Sequence, residues 1–253
     1  MAARKKAVPP ERALAEACRA GSWKEALAEL TTLSNEGNAA ASAMVAQVSA
    51  ALGRWDDVVT HGARFLATPE VARTGNVFSE VTRLVRRALL DELQTPAKLR
   101  GIAASIPPRW HAMRDATLLK DPLAEREPEA RKASEQAVAA APSMPRFRSK
   151  PEGLPAHLFA LAVAFHVDSE IIARWSDEAA WGSFDRALDV ARALVRAGKK
   201  DRAWKTLVRW LDDWQPVDDL QVLPVELLVD RDLREAVNAK RARALLDRGR
   251  APR

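Results

Sequence analysis

Apolar residues recur at helical spacing through most of the chain. At roughly 100° per residue, Trp23, Ala26, Leu27 and Leu30 fall on one stripe, and Trp55, Val58, Val59 and Gly62 repeat the same angles thirty-two positions later. Each stripe is preceded by a glycine, Gly21 or Gly53. A glycine at the end of a helical run suits the left-handed C-terminal cap that side chains resist. Ser22, with Glu25 three residues on, has the pattern of a capping box that starts the next helix, and Asn38 is placed to cap the one after that. The predicted order is helix, glycine turn, helix, short link, helix, glycine turn, helix.

The pattern continues beyond this pair. Thr68-Pro69-Glu70 predicts a short helix. Asn76 is expected to cap a longer one to Leu93, with Val77, Val81, Leu84 and Ala88 inward and Arg83, Arg86 and Arg87 on its other side. Thr95-Pro96 and Pro107-Pro108 bracket a further helix. Between 121 and 155 the texture changes, with six of the fifteen prolines and few large apolar residues. One polar helix over 129–141 and a linker over 142–155, containing Arg146-Phe147-Arg148, are expected there. Helical periodicity resumes at Ala156. Phe184, Leu188, Ala191 and Val195 form one stripe, closed by Gly198, and Ala203, Leu207, Trp210 and Trp214 form the next, which predicts packed tryptophans. The apolar run 221–228 holds Pro224, which argues against a central strand; an extended or short helical segment sealing the stack is expected instead. A helix from Asp230 and another over 239–248 complete the chain.

Gly21, Trp23, Glu25 and Ala26 resemble the turn motif of the tetratricopeptide family, Gly-x-aromatic-x-Glu-Ala between helix A and helix B of a unit of about 34 residues. Gly53, Trp55, Asp57 and Val58 resemble it with softer matches, and Gly198 with Ala203, Leu207 and Leu211 is a third, fainter echo. The fold class expected is all-α: stacked antiparallel helix pairs, a tetratricopeptide-like solenoid or irregular helical array without a substantial sheet. The expected divisions are a basic tail over 1–9, helical repeats over 10–120, a proline-rich helix and linker over 121–155, a C-terminal helical region over 156–248 and a tail over 249–253.

Composition agrees with helix. Alanine is abundant, tyrosine is absent and aromatic residues make up 6%. The longest apolar run, 158–165, is far short of the roughly 20 residues that span a bilayer, and the basic start leads into Glu11-Arg12 rather than a hydrophobic segment, so a secretory signal is not expected. With one cysteine, Cys18, an internal disulfide is excluded, and a cytoplasmic location is expected. Cys18 itself reads as a small buried apolar residue. The net charge of +6 is uneven, +3 over residues 1–12 and +5 over 238–253, which leaves the body near neutral at −2. The basicity belongs to tails expected to fray.

Candidate chemistry is sparse. His157 and His166, nine apart, sit on opposite sides of any common helix. His111 and Asp115 have i, i+4 spacing, a common surface contact. No HExxH, cysteine pair, phosphate-binding glycine loop or nucleophile elbow occurs, so no catalytic residue, metal or cofactor is expected.

The leading functional expectation is therefore a non-catalytic helical-repeat protein that binds another protein as adaptor, scaffold or neutralising partner, since stacked helix pairs leave a concave groove. The tetratricopeptide resemblance implies that helix A residues line it. Here those are Arg19 and Gln47, with Arg83, Arg86 and Arg87 as an extension by continuity, and an acidic peptide or protein surface would suit the arginines. Two other classes stay open. One is nucleic-acid association through the basic termini, and the other is an enzyme whose site assembles from distant residues, with His111, His157 or His166 taking part.

Overall fold

The computed structural model describes residues 10–68, 75–120 and 183–249, apart from the side chain of Arg186. The described residues form helices and turns, with no strand among them. The helices are α1 (Pro10–Arg19), α2 (Trp23–Asn35), α3 (Ala39–Ala51), α4 (Trp55–Ala67), α5 (Gly75–Arg87), α6 (Pro96–Ser105), α7 (His111–Arg114), α8 (Phe184–Arg196), α9 (Lys200–Trp210), α10 (Glu226–Val229) and α11 (Ala239–Asp247). Two single wide turns, Ala88–Glu92 and Asp115–Leu119, extend α5 and α7. The helices expected near Thr68-Pro69-Glu70 and over 129–141, the linker over 142–155, and His157 and His166 lie outside the described residues.

The chain divides into two compact units, each discontinuous in sequence. The first holds Met1–Lys120, Pro216–Val229 and Ala239–Arg253; the second holds Asp121–Gln215 and Asp230–Asn238.

In the first unit, successive helices pack against one another from α1 to α5 as adjacent antiparallel pairs. The glycine turns fall where the sequence puts them, with Gly21 at φ +92° and Gly53 at φ +70°. Asn38 caps α3, its Oδ1 accepting from the Ala41 N–H at 2.9 Å. The capping box at Ser22 does not form. Ser22 makes no side-chain cap bond, and the turn is held instead by backbone bonds from Gly21 and Ser22 to Cys18 and Ala17. Nor does Asn76 cap α5, because the helix already includes Gly75.

Helix α3 is the hub. Residues 40–51 are buried without a break, and alanine at half of these positions lets neighbours approach closely. One of its buried polar groups, Ser42, enters a relay joining three helices. Ser42 Oγ donates to Asn38 O at 2.9 Å, Ser34 Oγ lies 2.7 Å from Ser42 Oγ, and His61 Nδ1 lies 2.7 Å from Ser34 Oγ. Each hydroxyl has one proton to give. With that of Ser42 on Asn38, Ser34 gives its proton to Ser42, so His61 donates from Nδ1 and its Nε2 carries no proton. Burial, with Arg64 nearby, lowers the His61 pKa below its ordinary value against the opposing pull of Asp57, which agrees with a neutral ring.

Trp23 is buried as expected, its indole N–H donating to Asp247 Oδ1 of α11 at 2.8 Å. Trp55 is only half-buried, lying under the Arg87 guanidinium at 4.5 Å. Cys18 is buried, and burial pushes its thiol up to about 12 against the lowering effect of Arg19, so it stays a thiol. Over Ala239–Asp247 the basic C-terminal stretch forms α11, which packs on α3 and buries Ala242, Leu245 and Leu246 rather than fraying, while 250–253 lie outside the described residues.

In the second unit α8 and α9 form a helix pair with Gly198 in its turn at φ +75°. Phe184, Ala187, Leu188, Ala191, Leu194, Ala203, Leu207 and Leu211 are buried. Of the expected stripe, Ala203 and Leu207 are buried but Trp210 and Trp214 only partly so: helix α9 ends at Trp210, and Leu211 takes the fully buried position. Arg192 bridges Asp189 and Asp230 at 2.7 Å each, Arg196 pairs with Asp232, and Lys200 reaches Glu235 at 2.6 Å.

Gly62 sets how closely α4 meets α5. A Cβ there would lie 2.4 Å from Val85 Cγ2, and valine is stiff about χ1. Gly62→Ala is expected to lower unfolding stability by about 1–2 kcal/mol, overpacking outweighing the gain in helix propensity. Chemical denaturation checks this, and an unchanged or raised midpoint would contradict the packing described.

Candidate functional site

Helices α1, α3 and α5 present a common face, and an irregular stretch of the same chain, with turns along it, lies on that face. This stretch, from Asp218 to Leu228, follows the half-exposed Pro216 and ends in the single turn α10. Its apolar side chains Leu220, Val222, Leu223, Val225, Leu227 and Leu228 are buried. The apolar run that the sequence places at the end of the stack lies along this face instead. With Pro224 in the middle the segment cannot complete a backbone ladder, so side chains of the helices satisfy its main chain.

The grip alternates along the segment. Gln47 of α3 donates from Nε2 to Leu220 O at 2.9 Å and accepts at Oε1 from the Val222 N–H at 3.0 Å. Arg19, at the end of α1, donates from Nη1 to Gln221 O at 2.7 Å and to Asp219 O at 3.2 Å. Asp218 to Gln221 is a tight turn closed by the Gln221 N–H on Asp218 O at 3.0 Å; across it α1 takes the carbonyls of Asp219 and Gln221, and α3 takes Leu220 O and the Val222 N–H. Further along, Arg87 of α5 donates to Leu228 O, and Arg83 approaches Glu226 at 4.0 Å. At the other end Arg12 lies 3.8 Å from Asp219.

The segment also folds back on itself. Gln221 Oε1 accepts from the Asp218 N–H at 3.1 Å, and Asp218 Oδ1 accepts from the Leu220 N–H at 3.0 Å. That leaves the Gln221 Nε2 donor, which goes to Glu80 Oε1 on α5. Glu80 is a buried carboxyl whose second oxygen has no hydrogen-bond partner. Burial pushes it up to about 8; Glu226 and Asp218 act in the same direction, while the Gln221 bond and Arg83 act against them.

Of the five residues singled out from sequence, the structure gathers four, Arg19, Gln47, Arg83 and Arg87, around one segment. Arg86 is not among them. It donates to Leu118 O at 3.2 Å, at the end of the wide turn after α7. Sequence reasoning missed Glu80 and, although it singled out the run 221–228, did not place it on this face. Glu80 had a signal, since it stands three residues after Val77 and four before Leu84, on the apolar stripe of α5. The segment gave none beyond its apolar run.

A second feature lies between α2 and α4. A cleft of about 560 Å³ is lined by Trp23, Lys24, Leu27, Thr31, Arg54 and His61 among others. The histidine-carboxylate pair considered from spacing does not form. His111 Nε2 lies 3.0 Å from Ile106 O, and Asp115 pairs with Arg114 at 2.8 Å, which holds its carboxyl below the usual range. Among the described residues no cluster of three His, Cys, Asp or Glu could hold a metal ion, and no helix is long and apolar enough to cross a membrane.

No protein-family profile matches the chain, and no curated protein or solved structure is significantly similar to it.

Glu80 makes the grip pH-dependent. Its carboxyl rises from an ordinary 4.5 to about 8 in the folded protein, so the folded state holds its proton more tightly than the unfolded one. That stabilisation is complete below about pH 4.5 and falls away as pH rises to about 8, by at most roughly 1.4 kcal/mol per pH unit. Glu80→Gln should flatten the fall in denaturation midpoint over that window. A wild-type midpoint that does not fall, or an equal fall in the variant, would contradict the assignment.

Proposed function

We propose that this protein is a non-catalytic helical scaffold of the tetratricopeptide-like kind that binds another protein on the α1/α3/α5 face. The observation that carries this reading is that the face holds a turn-containing peptide segment by its backbone, through Gln47 and Arg19. Recognition of main chain by fixed side chains, with pockets for apolar residues between, is a peptide-binding mode. The face is also cationic at both ends. Arg12 and Arg83 keep half and one third of their side-chain surface exposed while facing Asp219 and Glu226. An acidic surface on a partner would add to these pairs, and charge at a rim raises encounter rates more than it deepens affinity.

An adaptor and a neutralising protein would use such a face alike.

The test is affinity capture with the whole chain, beside an Arg12→Glu, Arg83→Glu variant shown by circular dichroism to keep its helix content. The expected outcome is a reproducible partner that the variant retains about tenfold less well, equivalent to about 1.4 kcal/mol. Capture of the same partners at the same level would remove this face from the account.

A further inference from the structure

The α1/α3/α5 face is already occupied, and the occupant's chemistry says what else could sit there. Asp219 and Glu226 meet arginines at the two ends, Leu220 and Val222 are buried on either side of Gln221, and the Gln221 amide donates to Glu80. The main-chain bonds to Gln47 and Arg19 use groups that every residue but proline carries, so they would hold a different sequence equally well at those positions. The fit is incomplete at one point. Glu80 keeps a buried oxygen with no hydrogen-bond partner, and the segment brings two more carboxylates, Glu226 and Asp218, towards it. A buried carboxyl oxygen left without a hydrogen-bond partner carries a desolvation cost. A peptide with a second hydrogen-bonding group at this point would satisfy what the chain's own segment does not.

We propose that residues 218–228 are a built-in stand-in for the partner, and that the partner presents a peptide of the same make-up with the same tight turn at its start. It places an acid towards Arg12 and Arg19, a donor side chain flanked by apolar residues towards Glu80, and a second acid towards Arg83. This rests on the protein-binding reading of the face and names the kind of peptide it takes. The partner peptide replaces the resident segment, so the face is self-occupied until a matching peptide arrives. The apparent affinity is reduced by the fraction of chains whose face is closed.

The probe is a fluorescein-labelled synthetic peptide of residues 216–229, followed by anisotropy against the full-length chain and against a Leu223→Asp chain. Leu223 is a fully buried anchor of the segment, so its replacement loosens the resident copy. The expected result is saturable binding, at least about tenfold tighter to the Leu223→Asp chain and weakened about tenfold when Gln47→Ala is added. If Leu223→Asp lowers the helix content, the free peptide should restore it at about a hundredfold excess, which shifts a two-state equilibrium by about 2.7 kcal/mol at that multiple of the dissociation constant. Absence of binding to both chains, or a Leu223→Asp chain that the peptide neither binds nor refolds, overturns the proposal and leaves the segment as core. Failure of the protein-binding reading looks different. A partner that is captured by the wild-type chain through Arg12 and Arg83, yet not released by the peptide, keeps that reading and removes this one.

Discussion

One buried amide fixes the arrangement of the first unit. Gln47 sits in a helix that is otherwise apolar or small, with no exposed surface of its own. A buried side-chain amide without partners costs about 1–3 kcal/mol for each group left unpaired. The segment has the complementary need, because its own turns leave Leu220 O and the Val222 N–H to be paired from outside. Each supplies what the other lacks, the amide closing on Leu220 O and the Val222 N–H together. From that constraint follow the burial of six apolar side chains of the segment and the positions of Arg19 and Glu80 on either side.

The helical half of this arrangement was legible in the chain. Gly21, Gly53 and Gly198 sit at positive φ because the turns need it, and their spacing from Trp23, Trp55 and Ala203 marked the helix pairs. Asn38 was readable as a cap for the same reason: a short acceptor before an alanine run. Ser22 was misread because Gly21 already lets the backbone satisfy the turn, leaving the hydroxyl without a task. Trp214 was misread because periodicity was carried past the point where α9 ends, and a tighter turn at Leu211 changes which residue faces inward.

The site was half legible. Position along helices that follow one another in the stack sufficed to bring Arg19, Gln47, Arg83 and Arg87 to one face, since residues on successive inner helices must share a side. Arg86 shows the limit. One position from Arg87 on a helix is a turn of about 100°, enough to send it to Leu118 O instead of the segment. What local pattern does not carry is a pairing across some 170 residues, such as Gln47 with Leu220 and Val222. Glu80 was hidden for a related reason. A lone acid on an apolar stripe makes sense only once Gln221 is opposite it.

Amide hydrogen exchange at Val222 tests the central claim most directly. If its N–H is held by Gln47 beneath a closed face, it exchanges slowly in the native protein, and Gln47→Ala speeds it by at least about tenfold relative to the amides of α8. Exchange at the rate of an unprotected loop in the wild-type chain, or no change on losing Gln47, would contradict the account.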